Sequence, residues 1–281
     1  MKISLELSEL QRKFIEDHPD FNLQEWFHNS LNKKIKVKAD KINVIIAAAG
    51  YDTRISQIDA DIPKAMLKVK GKSLLERQIE MFNSMNINDI SVIRGFKKEQ
   101  INLPDINYYD NNDYETTGIL YSFFLASEKM TEKTLLSYAD VFFERDIAEK
   151  LIYESSDYAI VVDMSWHDNY HSRLEHTISE AELVEVKDDF VTAIGNNIPI
   201  ESAYGEFIGL ASFSQRGAVK AKELYKKTQE IKGKKIKEAS LSDFLCALIE
   251  DGEKIVPIGI HGGWFEIDTF EDFRKAWVRV P

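Results

Sequence analysis

The stretch from residue 42 to residue 64 constrains the fold more than any other part of the sequence. A near-continuous apolar run, Ile42–Ala48, predicts a parallel strand that is buried on both faces. It leads through small residues to Gly50, where backbone N–H groups after a strand can bind an anion. Arg54 and, ten residues later, Lys64 add two cations. This order predicts a loop that binds the phosphates of a nucleoside triphosphate; the alternative is an ordinary turn with surface cations.

From Lys41 onward, predicted strands alternate with predicted helices. The predicted strands are Ile42–Ala48, Ile90–Arg94, Leu135–Tyr138, Tyr158–Met164, Leu183–Val186, Val191–Ile194, Phe207–Phe213 and Ile255–Ile260. The predicted helices are Ser73–Met85, Ile119–Lys129, Gly217–Thr228, Ser240–Glu250 and Phe270–Val278. This alternation is typical of an α/β domain whose mostly parallel, mixed sheet is sandwiched by helices. Ligands of such domains bind at the carboxyl ends of the strands.

Residues 1–40 have a different pattern from residues 41–281, so the sequence predicts an accessory segment and a main domain. A short alternating strand is followed by two stretches with helical spacing, and Asn22 can cap the second of them. One interpretation is an N-terminal helical arm that packs on the main domain. The alternative is a dimer-forming module, because the strand-helix-helix order resembles ribbon-helix-helix modules, and it predicts a homodimer.

Charge and cysteine content exclude several classes of function. The net charge of −11 over 281 residues argues against broad nucleic-acid binding, which needs a basic face. The single cysteine, Cys246, lies in an apolar helical run and is predicted to pack rather than react. No apolar run approaches the roughly 18 residues that span a membrane, and the N-terminus lacks a signal-peptide pattern. These features predict a cytoplasmic protein with no membrane insertion.

Two aspartates stand at the ends of predicted strands. Asp140 follows Leu135–Ala139, and Asp268 follows Trp264–Ile267. Strand ends are where ligands bind in such a sheet, and Mg²⁺ is often held by one or two carboxylates together with substrate phosphates. The alternative is that each aspartate caps a helix, as Asp268 could do for the helix that begins at Phe270. Combined with the phosphate loop, the pair favours a metal site.

These motifs resemble a known signature. The pattern Ala48-Ala49-Gly50-x-x-x-Arg54, followed by Pro63-Lys64-x-x-x-x-Val69-x-Gly71-Lys72, is similar to that of the sugar-phosphate, phosphocholine and phosphonate nucleotidylyltransferases. The resemblance covers residues 42–281 and implies a single Rossmann-like nucleotidyltransferase domain. The sequence departs from the usual pattern at Asp52, where the family has a second glycine. A carboxylate beside phosphates is unfavourable, so this position is the unusual one in the loop.

The resemblance implies a set of site residues. The positions that match the catalytic residues of the family are Arg54, Lys64, Asp140 and Asp268, with Mg²⁺ held by Asp140 and Asp268. The positions that match its nucleotide-binding residues are Ala48, Ala49, Gly50, Arg54, Thr117, Gly118 and Ser122. The segment ending in Leu120-Tyr121-Ser122 is closer to the cytidylyltransferases than to the thymidylyl enzymes. The resemblance therefore implies CTP as the nucleotide.

The acceptor side contains an unusual group of residues, namely Trp166, Asp168, Tyr170, Arg173, His176 and Glu206. The surrounding sequence resembles the nucleotidyltransferase domains associated with phosphoenolpyruvate mutase in phosphonate biosynthesis, which include 2-aminoethylphosphonate cytidylyltransferases. Arg173 could bind a phosphonate with both arms of its guanidinium. Carboxylates and aromatic faces, such as those of Glu206 and Tyr170, suit a substrate ammonium. His167 and His171 have the spacing of a metal pair, but solvated loop histidines are the simpler interpretation.

The sequence thus predicts a Mg²⁺-dependent cytidylyltransferase that transfers CMP from CTP to 2-aminoethylphosphonate or a related phosphonate and releases pyrophosphate. Two alternatives remain open. One is a different acceptor, such as phosphocholine, hydroxyethylphosphonate or a sugar 1-phosphate. The other is a nucleotide-binding interaction protein that has lost catalysis, an idea motivated by Asp52 in the phosphate loop.

Overall fold

The structure is a computed structural model. It describes residues 42–51, 54, 61–170 and 173–279, together with the helical residues Lys13 and Ile15. The chain divides into two compact units, Met1–Asp40 and Lys41–Pro281. The strand-helix-helix order predicted for residues 1–40 lies almost entirely outside the described residues, and so do Asp52 and His171.

Fifteen strands are present in the described part of the main unit. They are β1 Ile42–Ala48, β2 Lys68–Val69, β3 Lys72–Ser73, β4 Asp89–Arg94, β5 Asn107–Asp110, β6 Lys133–Tyr138, β7 Val141–Phe143, β8 Tyr158–Asp163, β9 Leu183–Lys187, β10 Phe190–Gly195, β11 Gly205–Phe213, β12 Glu230–Ile231, β13 Lys234–Lys235, β14 Ile255–Ile260 and β15 Trp264–Glu266. Nine of them form one sheet, and the others form three short two-stranded pairs.

The central sheet is mixed, but the strands that end at the site are parallel to one another. Strand β1 lies between β4 and β6 and is parallel to both, and β5 continues the sheet beyond β4 in the same direction. Strand β11 runs antiparallel to β6 on one side and to β8 on the other, and β14 pairs with β8 in parallel. The carboxyl ends of β1, β4 and β6 therefore meet at one edge.

Seven α-helices flank the sheet in the described residues. They are α1 Leu74–Ser84, α2 Ile119–Leu125, α3 Arg145–Tyr153, α4 His167–Tyr170, α5 Gln215–Lys227, α6 Leu241–Glu250 and α7 Phe270–Arg279. Single 3₁₀ turns occur at Lys64–Met66, Lys98–Gln100, Ser127–Lys129, Ile178–Glu180, Ile200–Ser202 and Ile236–Glu238. Among the described residues, no helix is both long and apolar enough to cross a membrane.

Both faces of β1 are buried, as its unbroken apolar run predicts. Ile45 and Ala47 pack in a large apolar cluster with side chains of α2, α5 and α6. Val44 and Ile46 point to the opposite face and are also fully buried. Because successive strand residues alternate between faces, a strand with no polar face must be covered on both sides. The prediction of an α/β sheet sandwiched by helices is confirmed.

Most predicted elements lie within two residues of their observed bounds. Ser240 caps α6 as predicted, accepting a hydrogen bond from the backbone N–H of Asp243 at 3.0 Å. The predicted helix Ile119–Lys129 is shorter, because α2 ends at Leu125 and a 3₁₀ turn follows. The predicted strand Trp264–Ile267 corresponds to β15, whereas helix α3 and the short strands β5 and β7 were not predicted from the sequence.

Candidate active site

A cavity of about 240 Å³ opens at the carboxyl ends of β1 and β6. It is lined by Ala47, Ala48, Ala49, Gly50, Tyr51, Lys64, Ala65, Asn111, Tyr114, Thr117, Gly118, Ile119, Ser122, Ala139 and Asp140. The small side chains after β1 leave room for a ligand against the backbone. Six of the seven residues predicted to bind the nucleotide line this one cavity, the exception being Arg54.

The wall of the cavity nearest α2 is organised by a buried asparagine. The Asn111 side-chain amide donates to Thr117 Oγ1 at 2.9 Å and to Ser122 Oγ at 3.1 Å. Its carbonyl oxygen accepts from the backbone N–H of Asp113 at 3.0 Å. Both hydroxyl groups are therefore held in place before any ligand enters. A preformed set of polar groups of this kind can read the edge of a base.

Gly118 begins α2 and permits a close approach to the segment before α6. Its backbone N–H donates to the carbonyl of Lys237 at 2.6 Å. A Cβ at this position would lie 2.3 Å from the carbonyl oxygen of Ala239. Its φ of −82° is open to any residue, so space rather than backbone geometry requires glycine.

We expect Gly118→Ala to destabilise the fold by about 2 kcal/mol and to weaken nucleotide binding, because overpacking forces the cavity wall to shift. Chemical denaturation and calorimetric titration of CTP would measure the two effects. Gly50→Ala is the matched control for stability, since a Cβ there would have no neighbour within 4 Å. Equal stability of the two variants would contradict the packing argument.

The two predicted metal ligands are brought together by a short strand pair outside the main sheet. Strand β15 pairs antiparallel with β7, so that Glu266 lies opposite Val141. The next backbone N–H, that of Ile267, donates to the carbonyl of Asp140 at 3.2 Å. This hydrogen bond therefore holds Asp140 and Asp268 close together, although they are far apart in the sequence.

Lys64 lies between these two aspartates. Its ammonium contacts Asp140 Oδ2 at 2.6 Å and also contacts Asp268 Oδ1. The lysine follows Pro63 in a 3₁₀ turn, and Leu67 just beyond it packs in an apolar cluster with Ile267. The same cluster thus holds the lysine segment and the strand that leads to Asp268.

The buried charges shift one another's pKa. Burial alone would lower the pKa of Lys64, but the carboxylates of Asp140 and Asp268 outweigh it and raise this pKa well above its usual range. Burial would raise the pKa of Asp268, yet Lys64 and His176 hold it well below its usual range. Lys64 and Asp268 are therefore both charged at neutral pH.

Arg54 lies beside this cluster but outside the cavity lining. Its guanidinium contacts Glu180 Oε2 at 2.7 Å and lies 3.9 Å from Asp268 Oδ2. The side chain is 40% exposed, so it can turn toward a ligand without leaving a buried carboxylate unpaired. It is placed at the rim of the site.

Two residues predicted to bind the acceptor instead contact the carboxylates around α7. Arg173 Nε donates to Asp272 Oδ1 at 2.8 Å, and Arg173 lies 3.6 Å from Glu266. His176 Nδ1 lies 3.0 Å from Asp268 Oδ2 and 3.6 Å from Glu266. Asp272 also accepts from the backbone N–H of Thr269 and so caps α7. The loop that carries Arg173 and His176, here called the acceptor loop, therefore contacts both Asp268 and the start of α7.

Burial would lower the pKa of His176. Asp268, which lies 3.0 Å away, and Glu266 outweigh burial and raise this pKa. Burial would likewise lower the pKa of Arg173, but Asp272 and Glu266 outweigh it and raise this pKa. Burial raises the pKa of Glu266 well above its usual range, and Asp268 adds to that rise.

Tyr170 and Glu206 form a separate buried pair. The Tyr170 hydroxyl donates to Glu206 Oε1. Burial raises the pKa of Glu206 to about 8. Neighbouring acids add to this rise, whereas Tyr170 and Arg173 oppose it without cancelling it. Burial and the nearby Glu206 also raise the pKa of Tyr170 well above its usual range. The phenol thus remains a hydrogen-bond donor.

A folded-state pKa of about 8, against an ordinary 4.5, gives a sign to the pH dependence of stability. Between these values unfolded Glu206 binds fewer protons than folded Glu206, so the free energy of unfolding falls as pH rises. The contribution is at most about 1.4 kcal/mol per pH unit. We expect Glu206→Gln to flatten the decline in stability between pH 5 and pH 8 (the pH range that brackets these two values), as measured by denaturation. An unchanged slope would contradict a raised pKa.

Of the remaining two predicted acceptor residues, Trp166 contacts the cluster only through Tyr170, with ring centroids 5.9 Å apart, among the contacts that the structure describes. The Trp166 ring is buried and also packs with Ala181 and Leu183 in a small apolar core. Asp168 lies on the exposed side of α4. Within this loop, the structure groups Tyr170, Arg173 and His176 with Glu206, and Trp166 joins them through Tyr170.

Sequence reasoning missed Asp163, which is fully buried and organises the loop around α4. Its carboxylate accepts from Trp264 Nε1 at 2.7 Å, from the backbone N–H of Ser165 at 2.9 Å and from that of Gly262 at 3.0 Å. It stands at the end of the apolar strand β8, and an aspartate in that position was the available signal. Through Trp264 it ties the acceptor loop to β15.

The donor set at Asp140 and Asp268 fits a hard divalent cation. The Lys64 ammonium already touches an oxygen of each carboxylate, so a single positive centre can reach both. Ligand atoms of His176, Glu266 and Asp268 also lie within 4.8 Å of one another. The Arg173 guanidinium lies 3.6 Å from Glu266, however, and would repel a metal ion there. Asp140 and Asp268 are therefore the better pair.

Comparisons with known proteins agree with this geometry. Residues 44–192 match the MobA-like NTP transferase domain family. CTP:phosphoglutamine cytidylyltransferase of Campylobacter jejuni is 30% identical over 251 residues, which cover 83% of this chain and 98% of that protein. Choline-phosphate cytidylyltransferase of Streptococcus pneumoniae is 33% identical over 99 residues, or 34% of this chain and 43% of that protein.

Two solved structures share the fold. CTP:phosphocholine cytidylyltransferase from Streptococcus pneumoniae superposes with a TM-score of 0.64 and 21% identity, covering 86% of this chain and all of that one (100%). The inositol-1-phosphate CTP transferase from T. maritima gives a TM-score of 0.62 and 21% identity, covering 82% of this chain and 90% of that one. At this level of identity the likeness concerns the fold.

The fold, the cavity at the strand ends and these matches define a nucleotidyltransferase. The chain belongs to the MobA-like NTP transferase domain family. The family resemblance predicted from the sequence motifs is thereby confirmed. The roles of individual site residues, the metal and the phosphonate acceptor stay predictions.

Proposed function

We propose that the protein is a cytidylyltransferase that transfers CMP from CTP to a small phosphorylated or phosphonylated molecule and releases pyrophosphate. The observation that carries the proposal is the position of Lys64, whose ammonium bridges Asp140 and Asp268 at the lining of the nucleotide cavity. The relatives named above are described as acting with CTP on phosphoglutamine and phosphocholine, which supports this class of substrate.

The cavity suits a pyrimidine nucleotide. Gly118 and Ser122 lie on the α2 side, and the small residues Ala48 and Ala49 lie opposite. Ser122 accepts a hydrogen bond from Asn111, which leaves its own hydroxyl hydrogen to donate. Cytosine presents an acceptor at N3, where uracil and thymine carry an N–H donor, so a hydroxyl donor that faces N3 would favour cytosine. CTP is accordingly the nucleotide that we propose.

Mg²⁺ is the metal that the family resemblance implies, and Asp140 and Asp268 would hold it. When bound, it supplies positive charge to phosphate oxygens and orients them. For that to happen the Lys64 ammonium must leave at least one carboxylate. The Lys64 ammonium, a compact charge on a flexible stem, can then turn toward the β- and γ-phosphates of CTP. Arg54, at the rim of the site, can contact the same phosphates.

The transfer itself needs little acid–base chemistry. An anionic oxygen of the acceptor forms a bond to the α-phosphorus of CTP, while the bond from that phosphorus to the bridging oxygen breaks and pyrophosphate leaves. Because the nucleophile is already charged, no side chain has to remove its proton. Lys64 and Arg54 would neutralise the charge that develops on the leaving group, and the cavity would align the reactants.

Among acceptors, 2-aminoethylphosphonate is the molecule that the sequence resemblance favours. The buried carboxylates near Tyr170 are suited to its ammonium group. Arg173 is paired with Asp272, so a phosphonate would have to compete for that guanidinium. Phosphocholine, hydroxyethylphosphonate, sugar 1-phosphates and phosphoglutamine complete the set of acceptors to be compared.

Pyrophosphate release from CTP, UTP and dTTP across this acceptor set tests the proposal. We expect turnover with CTP at least tenfold faster than with the other nucleotides. Turnover should also require a divalent cation and stop with a chelator. Binding of CTP without turnover on any acceptor would overturn the proposal and support a nucleotide-binding protein that has lost catalysis.

A further inference from the structure

Glu206 is a buried carboxyl group with one oxygen unused. It stands at the start of β11 and is only 3% exposed. Oxygen Oε1 accepts from the Tyr170 hydroxyl, whereas Oε2 has no hydrogen-bond partner among the residues that the structure describes. Leaving a buried polar atom unpaired is unfavourable, so such an atom calls for an explanation.

The surroundings of Glu206 are rich in acidic side chains. Among these, Asp163 and Glu182 both raise its pKa. The nearest cation is Arg173, but its guanidinium is engaged by Asp272 at 2.8 Å and lies 3.6 Å from Glu266. Glu182 Oε1 itself accepts a hydrogen bond from the Ser242 hydroxyl. A cationic group that entered here would find a carboxylate oxygen without a partner.

Glu206 is also close to the reaction centre through a chain of contacts. Tyr170, its hydrogen-bond donor, packs edge-on against the His176 ring with centroids 5.7 Å apart. His176 Nδ1 lies 3.0 Å from Asp268, one of the two proposed metal ligands. Glu206 is thus connected to Asp268 through two side chains, those of Tyr170 and His176.

Building on the proposed function, we propose that Glu206 determines acceptor specificity and selects phosphates or phosphonates that carry a cationic nitrogen. Oε2 would accept an N–H from a primary ammonium or lie beside a quaternary one. A neutral acceptor of the same shape would leave the carboxyl unpaired and would be rejected.

Matched pairs of acceptors test this assignment. One pair is 2-aminoethylphosphonate and propylphosphonate, which replaces the ammonium by a methyl group. The other is phosphocholine and 3,3-dimethylbutyl phosphate, its neutral isostere. We expect kcat/KM for pyrophosphate release to favour the cationic member of at least one pair about a hundredfold in the wild-type protein. We expect Glu206→Gln to reduce that preference to less than about fivefold, mainly through the cationic member.

Glu201→Gln is the control variant, since this carboxyl is exposed on a nearby turn and should leave the preference unchanged. Equal use of both members of each pair by the wild-type protein would overturn the assignment and leave the cytidylyltransferase proposal intact. That comparison needs no variant, so it holds even if Glu206→Gln does not fold. If no acceptor is turned over, the proposed function fails. Calorimetric titration of the same pairs then decides whether Glu206 still selects the cationic member, and equal affinities for both members overturn the assignment.

Discussion

Asp268→Asn is expected to lower pyrophosphate release about a thousandfold while the chain stays folded. Asparagine keeps the shape of aspartate but removes one of the two negative charges that face the nucleotide. Charge stabilisation in a buried site commonly contributes 10²–10³ in rate, and the loss of a metal ligand adds to it. Turnover with saturating CTP and acceptor would measure the effect, and thermal unfolding would confirm that the fold is kept.

Asp146→Asn provides the matched control, because this aspartate is exposed in the first turn of α3 and pairs with Lys150 at 3.4 Å. Surface pairs of this kind contribute little, so activity should not change. If Asp268→Asn retained more than about a tenth of wild-type turnover, the assignment of Asp268 to the metal would be wrong.

Lys64→Met is expected to have the second large effect, and with two opposite signs. Removing the ammonium leaves Asp140 and Asp268 without the cation that lies between them, so a divalent ion should bind more tightly in the absence of nucleotide, by about tenfold or more. Turnover should fall by about 10²–10³, because a charge that neutralises the leaving pyrophosphate is lost. Titration with Mn²⁺, followed by electron paramagnetic resonance, separates the first effect from the second.

Lys72→Met is the control for Lys64→Met, since Lys72 forms an exposed pair with Glu80 at 2.6 Å. It should change neither metal affinity nor rate. Lys64→Arg retains a charge but replaces a compact ammonium by a planar fork, and it should recover only part of the activity. Weaker binding of Mn²⁺ by Lys64→Met would contradict the view that the lysine competes with the metal.

The long elements of the fold could be predicted because their periodicity is set by burial. An unbroken apolar run such as Ile42–Ala48 leaves no other place for the strand than the middle of a sheet. Strands β7 and β15 have three residues each and are defined by each other rather than by their own composition. Sequence reasoning therefore found Asp140 and Asp268 but not the strand pair that joins them.

The nucleotide side of the site was easier to predict than the acceptor side. Gly50 and Lys64 belong to one short signature after β1, and Asp140 stands at the end of a predicted strand. Arg173 was expected to clamp a phosphonate, but its partner Asp272 is 99 residues away and was not visible as such in the sequence. Trp166 was singled out for its chemistry, yet a local apolar core accounts for it. Tertiary pairing, which short patterns do not encode, explains both differences.

The distances along the chain between the three central charges bear on how the protein reaches its native state. Lys64 is 76 residues from Asp140 and 204 residues from Asp268. Contacts of such long range close large loops and form late in folding. Helices such as α5 can form from local interactions, whereas the ammonium finds both carboxylates only once β15 has docked. Recovery of CTP binding should therefore be a stricter criterion of successful refolding than recovery of helix content.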